Sequence, residues 1–153
     1  MTMPQSVRPS AAPAPERLSR YTACLLGGAI GDALGAPVEF MSRHEILRRF
    51  GPGGIRDHAS AYGRTGAITD DTQMTLFTAE GLLRAAAQGH PSGHASYIAE
   101  VAQAYQRWLL TQDEDPAAHA GAEGLLRIAA LHSRRAPGTT CLAALRQVGA
   151  RNN

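Results

Sequence analysis

Two short segments place carboxylates where a fold alone has little use for them. In GGAIGDALGAPVEF, residues 27–40, Asp32 interrupts a run of glycine and apolar residues, and Glu39 follows two positions after Pro37. An uncompensated charge in such surroundings is expensive. On these residues alone, Asp32 reads equally as a capping or turn acid and as a functional one, and Glu39 as a surface residue or part of a site. In GAITDDTQM, residues 66–74, Thr69, Asp70, Asp71 and Thr72 set four oxygen-bearing side chains in succession at the head of a helical pattern. Thr and Asp are preferred N-caps, and first-turn acids favour the helix dipole, so one acid has a plain structural role. Two adjacent acids repel, and consecutive helical residues point about 100° apart, so both cannot cap. Divergent carboxylates beside a hydroxyl suit a pair of hard cations, each acid reaching a different ion. All-oxygen ligation selects magnesium or manganese over zinc. The spacing leaves capping and metal ligation both open.

Other candidates carry less. His90 and His94 are four apart, but the intervening Pro-Ser-Gly forbids the helix that would align them, so both read as loop residues. Gly51-Pro52-Gly53-Gly54 lacks the Lys-Ser/Thr ending of a phosphate-binding loop and reads as a turn. Tyr97, Tyr105 and Trp108 follow an apolar face and read as core rather than as a base-stacking platform. Cys24 reads as a small core residue.

Helices must position the acids. Leu25, Leu26, Ala29, Ile30, Ala33 and Leu34 give a helical repeat over 18–34, ended by Pro37. Its glycines at 27, 28 and 31 each cost about 1 kcal/mol relative to alanine. They predict that another backbone, or a ligand, comes very close. Ser42 and Glu45 have capping-box spacing and predict a short helix. Residues 51–68 are Gly-rich and aperiodic, a long surface loop of the kind that is functional or disordered. A helix over 70–87 has Met74, Leu76, Phe77, Ala79, Leu82, Leu83 and Ala86 on its apolar face. Gln73, Glu80 and Arg84 lie on the other side, with Glu80–Arg84 a favourable i,i+4 pair. Ile98, Val101, Tyr105, Trp108 and Leu109 predict a helix over 95–110, and further helices are expected near 122–132 and 139–148. No strand or internal repeat is expected, and the fold class is all-α.

The chain has 153 residues, enough for one modest domain with a real core. Aromatics make up only 5%, so that core should come from closely spaced helices rather than large rings. A net charge of +2 argues against a nucleic-acid partner. The pairs Arg48-Arg49 and Arg134-Arg135 read as solvated faces. Residues 1–16, rich in Pro, Ala and Ser without an apolar core, read as a disordered tail rather than a signal peptide or anchor, and 17–153 as one domain unit. No later segment has the apolar length to span a bilayer. Two cysteines without zinc-type spacing point to a reduced, cytoplasmic protein.

The two acidic segments together resemble the ADP-ribosylglycohydrolase family. The resemblance rests on Gly27-Gly28-Ala29-Ile30-Gly31-Asp32-Ala33-Leu34-Gly35 with Glu39, then Thr69-Asp70-Asp71-Thr72-Gln73-Met74, and is supported by Gly138-Thr139-Thr140-Cys141-Leu142 with Asn152-Asn153. It implies an all-α multi-helix orthogonal bundle, here its N-terminal portion, incomplete at the C-terminus. It implies a centre of two Mg²⁺ or Mn²⁺ ions, with Thr69, Asp70 and Asp71 as metal ligands, Glu39 assisting the chemistry, and Asp32 supporting the site. The implied reaction removes ADP-ribose from a modified protein side chain or a related small substrate. In it the metals hold the 2′ and 3′ hydroxyls of the distal ribose, and carboxylates stabilise an oxocarbenium-like state.

The family's second acidic run, of Asp-x-Asp-Thr type, is missing, and Asp113, Glu114 and Asp115 ahead of Pro116 do not replace it. Three oxygen ligands are too few for six-coordinate magnesium, so negligible hydrolysis is expected of these residues alone. Helix faces lacking their partners should drive self-association. The alternatives are a non-catalytic half-domain that binds ADP-ribose or docks a C-terminal half, and an Mg²⁺-assisted phosphohydrolase for which Arg64 is the one nearby cation.

Overall fold

The chain folds in the order its hydrophobic periodicity dictates. The computed structural model describes residues 15–88, 94–113 and 123–151. Helix α1 spans Pro15–Gly35 and passes through a 3-10 turn, Ala36–Val38, before α2, Arg43–Phe50. A short antiparallel ribbon pairs β1, Ser60–Ala61, with β2, Arg64–Thr65. Helix α3 spans Asp70–Ala87, α4 spans His94–Asp113, and two 3-10 turns, Gly124–Arg127 and Ala129–Leu131, precede α5, Thr139–Arg151. No single helix among the described residues is long and apolar enough to cross a membrane.

The all-α class holds, with local corrections. The expected tail falls largely on residues outside the described set, but Pro15 and Glu16 already belong to α1. Pro at the first helical position costs no hydrogen bond and pre-sets φ. The capping box is present: Ser42 N–H donates to Glu45 Oε2 at 2.8 Å and Glu45 N–H to Ser42 Oγ at 3.3 Å. The ribbon inside the 51–68 loop was not expected, because two residues per strand are too few to show a period. The helix expected near 122–132 is instead two 3-10 turns among the described residues. His94 is the first residue of α4 rather than a loop residue, and His90 lies outside the described residues.

The core forms where α3 crosses α4. Phe77, Ala104, Trp108, Leu131 and Leu142 are buried together, with Met74, Tyr105, Leu109 and Leu145 packed around them. The backbones come closest at Gly81, where an added Cβ would lie 2.7 Å from Val101 Cα and 3.0 Å from Glu100 O. Among the described residues no backbone makes the close approach expected at Gly27, Gly28 and Gly31, where an added Cβ would meet nothing within 4 Å. On α4, Trp108 is core as expected and Tyr105 partly so. Tyr97 and Ile98 are 40% and 69% exposed. Cys24 is also exposed rather than in the core.

Gln73, assigned by its polarity to the outer side of α3, is fully buried. Its Oε1 accepts from Trp108 Nε1–H at 3.2 Å and from Gln112 Nε2 at 3.1 Å. Its Nε2 donates to Leu131 O at 3.1 Å and Ser133 O at 2.9 Å. The amide thus has all four of its bonds. The apolar Leu83, assigned to the inner face, is exposed instead. Glu80 does meet Arg84, at 3.5 Å, but its nearer partner is Arg107 at 2.9 Å, and it also accepts from Leu125 N–H at 3.1 Å. Burial pushes the Glu80 carboxyl up, and the Leu125 amide and Arg107 guanidinium together carry it below the ordinary carboxylate range.

Substituting Gln73→Leu keeps similar volume but strands two buried donors and two carbonyls. We expect a loss of about 2 kcal/mol in unfolding free energy, read from urea denaturation. An unchanged midpoint at constant slope would show that the network contributes nothing.

Candidate functional site

The acids converge because the end of α1 abuts the beginning of α3. Thr69 is the N-cap of α3 in extended conformation, and its hydroxyl accepts from Asp71 N–H at 3.2 Å. That hydroxyl also donates to Asp32 Oδ1 at 2.7 Å, while Asp32 Oδ2 accepts Thr69 N–H at 2.8 Å. Thr72 adds its own N–H at 3.3 Å and its hydroxyl, both on Asp32 Oδ2. Asp32 therefore satisfies two of the orphan donors at the start of α3, Thr69 N–H and Thr72 N–H, from another helix, and a carboxylate there also favours the helix dipole. This explains a charge in an apolar helix. It is clamped by four donors, and Thr69 and Thr72 beneath it are buried.

The 3-10 turn after α1, started by Ala36-Pro37, bends the chain so that Glu39 is its C-cap. Asp32, Gly35, Ala36, Val38, Glu39, Thr69 and Asp71 then line one cleft of about 340 Å³. Asp70 is turned toward the segment before α5. Its N–H donates to Arg135 O at 3.0 Å, and its carboxylate accepts from Gly138 N–H.

The electrostatics of this corner are one-sided. Burial raises the Glu39 carboxyl above its ordinary value, and the charges of Asp70, Asp71 and Asp32 raise it further, against a hydrogen bond from Tyr62 that lowers it. Burial and then Asp71 raise Asp70, opposed by the Gly138 and Asp70 amides. Among the described residues, no salt bridge closes on any of these four acids; the ion pairs lie on Glu16 and Glu80. Arg135 lies within electrostatic reach of Asp32, but crowded carboxylates without an ion pair are a poor arrangement for stability alone and a good one for attracting a positive ion.

The donor set fits a hard cation in type and falls short in number. Asp70 and Asp71 offer carboxylate oxygens. Thr69 Oγ has spent its proton and one lone pair, leaving one lone pair for an ion. No three His, Cys, Asp or Glu side chains among the described residues meet at one metal position. Of the residues singled out from sequence, Asp32, Glu39, Thr69 and Asp71 share the cleft, and Asp70 adjoins it.

Sequence reasoning missed three contributors. Arg135, expected on a solvated face, is buried, and its guanidinium donates to Ile68 O at 3.2 Å and Ala130 O at 3.0 Å, fixing the strand of backbone that enters α3. Gly138 reaches Asp70 through its amide, which no side-chain pattern reveals. Tyr62 sits in the loop, near enough to Glu39 for each to shift the other's titration, and the residues around it gave no sign of this.

A family model for the ADP-ribosylglycohydrolases matches residues 13–152. The chain belongs to the ADP-ribosylglycohydrolase family. It is 35% identical over 100 residues to the ADP-ribosyl-[dinitrogen reductase] glycohydrolase of Rhodospirillum rubrum, covering 63% of this chain and 30% of that protein. It is 42% identical over 67 residues to an uncharacterised protein of Archaeoglobus fulgidus, covering 42% of this chain and 21% of that one. To the uncharacterised protein YegU of Escherichia coli it is 36% identical over 73 residues, 44% of this chain and 22% of that one. No solved structure matches. The chain thus spans less than a third of the length of each of these relatives.

Proposed function

We propose that the complete ADP-ribosylglycohydrolase domain, with these residues as its N-terminal part, hydrolyses the bond between ADP-ribose and a modified protein side chain or a small acceptor. The observation that carries this reading is the meeting of Glu39 with Asp32, Thr69 and Asp71 in one acidic cleft, with Asp70 beside it and no salt bridge on any of these acids among the described residues. We assign Thr69, Asp70 and Asp71 to hold Mg²⁺ or Mn²⁺, with the remaining ligands supplied from outside this segment. When bound, the ions supply positive charge that fixes the vicinal hydroxyls of the distal ribose.

The other roles fall to the protein. Asp32, already saturated by Thr69 and Thr72, keeps the first turn of α3 in place and is a supporting residue. Glu39 takes a proton from the attacking water as its oxygen bonds to the anomeric carbon; the bond from that carbon to the acceptor breaks, the electron pair leaves with the acceptor, and the acceptor ends with that proton. The acids around it stabilise positive charge developing on the sugar.

In the complete protein, ADP-ribose release from arginine-linked or serine-linked ADP-ribosyl peptides should require Mg²⁺ or Mn²⁺ and stop when EDTA is added. Release that continues in excess chelator rules out the metal-dependent reading. A second reading, a half-domain that binds ADP-ribose without turnover, is favoured by the incomplete donor set among the described residues. Calorimetric titration of the 153-residue chain with ADP-ribose, with and without Mg²⁺, separates the two.

A further inference from the structure

We propose that Arg135 is a positioning residue for the Thr69-Asp70-Asp71 turn, its guanidinium and its own carbonyl gripping the backbone on either side of Thr69. The inference rests on the reading of these three residues as metal ligands.

Both grips are direct hydrogen bonds. Ahead of Thr69, Arg135 Nη1 donates to Ile68 O at 3.2 Å. Beyond it, Arg135 O accepts Asp70 N–H at 3.0 Å. The second arm of the guanidinium, Nη2, donates to Ala130 O at 3.0 Å and so ties the turn to the 3-10 segment Ala129–Leu131. Arg135 thereby completes a set of bonds that Asp32 and Thr69 begin. Thr69 N–H and Thr72 N–H end on Asp32, Asp71 N–H on Thr69 Oγ, and Asp70 N–H on Arg135 O. Every backbone amide from Thr69 to Thr72 has an acceptor that is neither the Asp70 nor the Asp71 carboxylate. The turn keeps its shape without relying on either acid as a cap.

Two features set Arg135 apart from an ordinary structural donor. It is 7% exposed, and among the described residues no salt bridge closes on it. A neutral amide could serve two carbonyls, whereas a buried guanidinium carries a heavy desolvation cost. A cation within electrostatic reach of Asp32 has the sign that offsets the repulsion among the acids. The backbone is the other feature. Ala136 adopts a φ of 57°, a left-handed conformation that its Cβ disfavours, and it precedes Pro137. This strained residue follows directly on the carbonyl that accepts Asp70 N–H. Strain of this kind clusters at functional sites.

The test uses the complete enzyme. Arg135→Lys keeps the charge but loses the planar fork that meets Ile68 O and Ala130 O together, and Arg135→Met keeps bulk without charge. Each should bind Mn²⁺ roughly tenfold more weakly, read from the free-ion EPR signal, an effect typical of residues that orient metal ligands. The Mn²⁺ concentration for half-maximal ADP-ribose release should rise by the same factor. Gly81→Ala, which disturbs the α3–α4 seam instead, should bind Mn²⁺ as the parent does, and this separates positioning from loss of stability. Parent-like Mn²⁺ affinity in Arg135→Lys overturns the proposal. If the parent itself binds no Mn²⁺, the metal reading fails, and hydrogen exchange in the metal-free protein decides the positioning role. Amides of Thr69 to Thr72 that exchange roughly tenfold faster in Arg135→Lys, with later turns of α3 unmoved, support it. Unchanged exchange in that first turn overturns it.

Discussion

Replacing Asp70 and Asp71 with alanine in the complete enzyme is expected to lower metal-dependent ADP-ribose release by at least about 10³-fold. The two carboxylates leave adjacent positions of one helical turn, so neither can take over the other's ion. The loss should be accompanied by a rise, not a fall, in the stability of the metal-free protein for the milder Asp70→Asn change. The sign follows from the raised Asp70 carboxyl, whose causes are burial and Asp71. A folded state that holds the proton more tightly than the unfolded chain is destabilised by the charged form. Asp70's contribution to metal-free stability therefore declines as pH rises from the ordinary carboxylate range through the raised folded value, and the difference between parent and Asp70→Asn isolates it from Glu80, whose lowered carboxyl acts with the opposite sign. Thermal melting across that range with EDTA present reads it directly. Undiminished release by the double variant would sink the metal-ligand assignment, and a difference from the parent that is flat in pH would sink the electrostatic argument.

The largest effect on folding is expected at Gly81. Helix propensity favours Gly81→Ala by about 1 kcal/mol. Packing opposes it, because the new methyl would meet Val101 Cα at 2.7 Å and the Val101 amide nitrogen at 3.0 Å. Those atoms are backbone of α4 and cannot rotate aside, so the helices must separate along the seam that buries Phe77, Ala104 and Trp108. Gly81→Leu should cost about 3 kcal/mol or more, and even Gly81→Ala should be net destabilising. Urea denaturation measures both; a stabilised alanine variant would mean that the seam yields at little cost.

The sequence made the helices legible wherever an apolar period ran for several turns, as in α3 and α4, and it made the acids legible because they stood where local rules had no use for them. It placed Met74, Leu76 and Phe77 of α3 on the inner side, where they pack, but misplaced two of its residues. Gln73 is polar and buried because its amide finds four partners at long range, while Leu83 is apolar and exposed, and no local pattern encodes either outcome. The glycines of α1 drew attention by number, yet the close approach belongs to the single Gly81, since crowding depends on which helix lies opposite. Tyr62 sits in a tight turn, and Gly138 acts through its backbone amide. Both depend on a chain path that the Gly-rich loop and the two 3-10 turns leave unmarked.

Helix α1 is fastened at one end. Leu18, Tyr21, Leu26 and Ile30 look outward, and Ala33 is the residue it buries, next to the clamped Asp32. Peeling the helix away removes the carboxylate from Thr69 and Thr72 and lets the first turn of α3 fray. Docking of α1 and ordering of the acids are therefore one equilibrium observed from two ends. Whatever settles on the acids draws the helix down, and whatever covers its outer face firms up the acids by the same free energy.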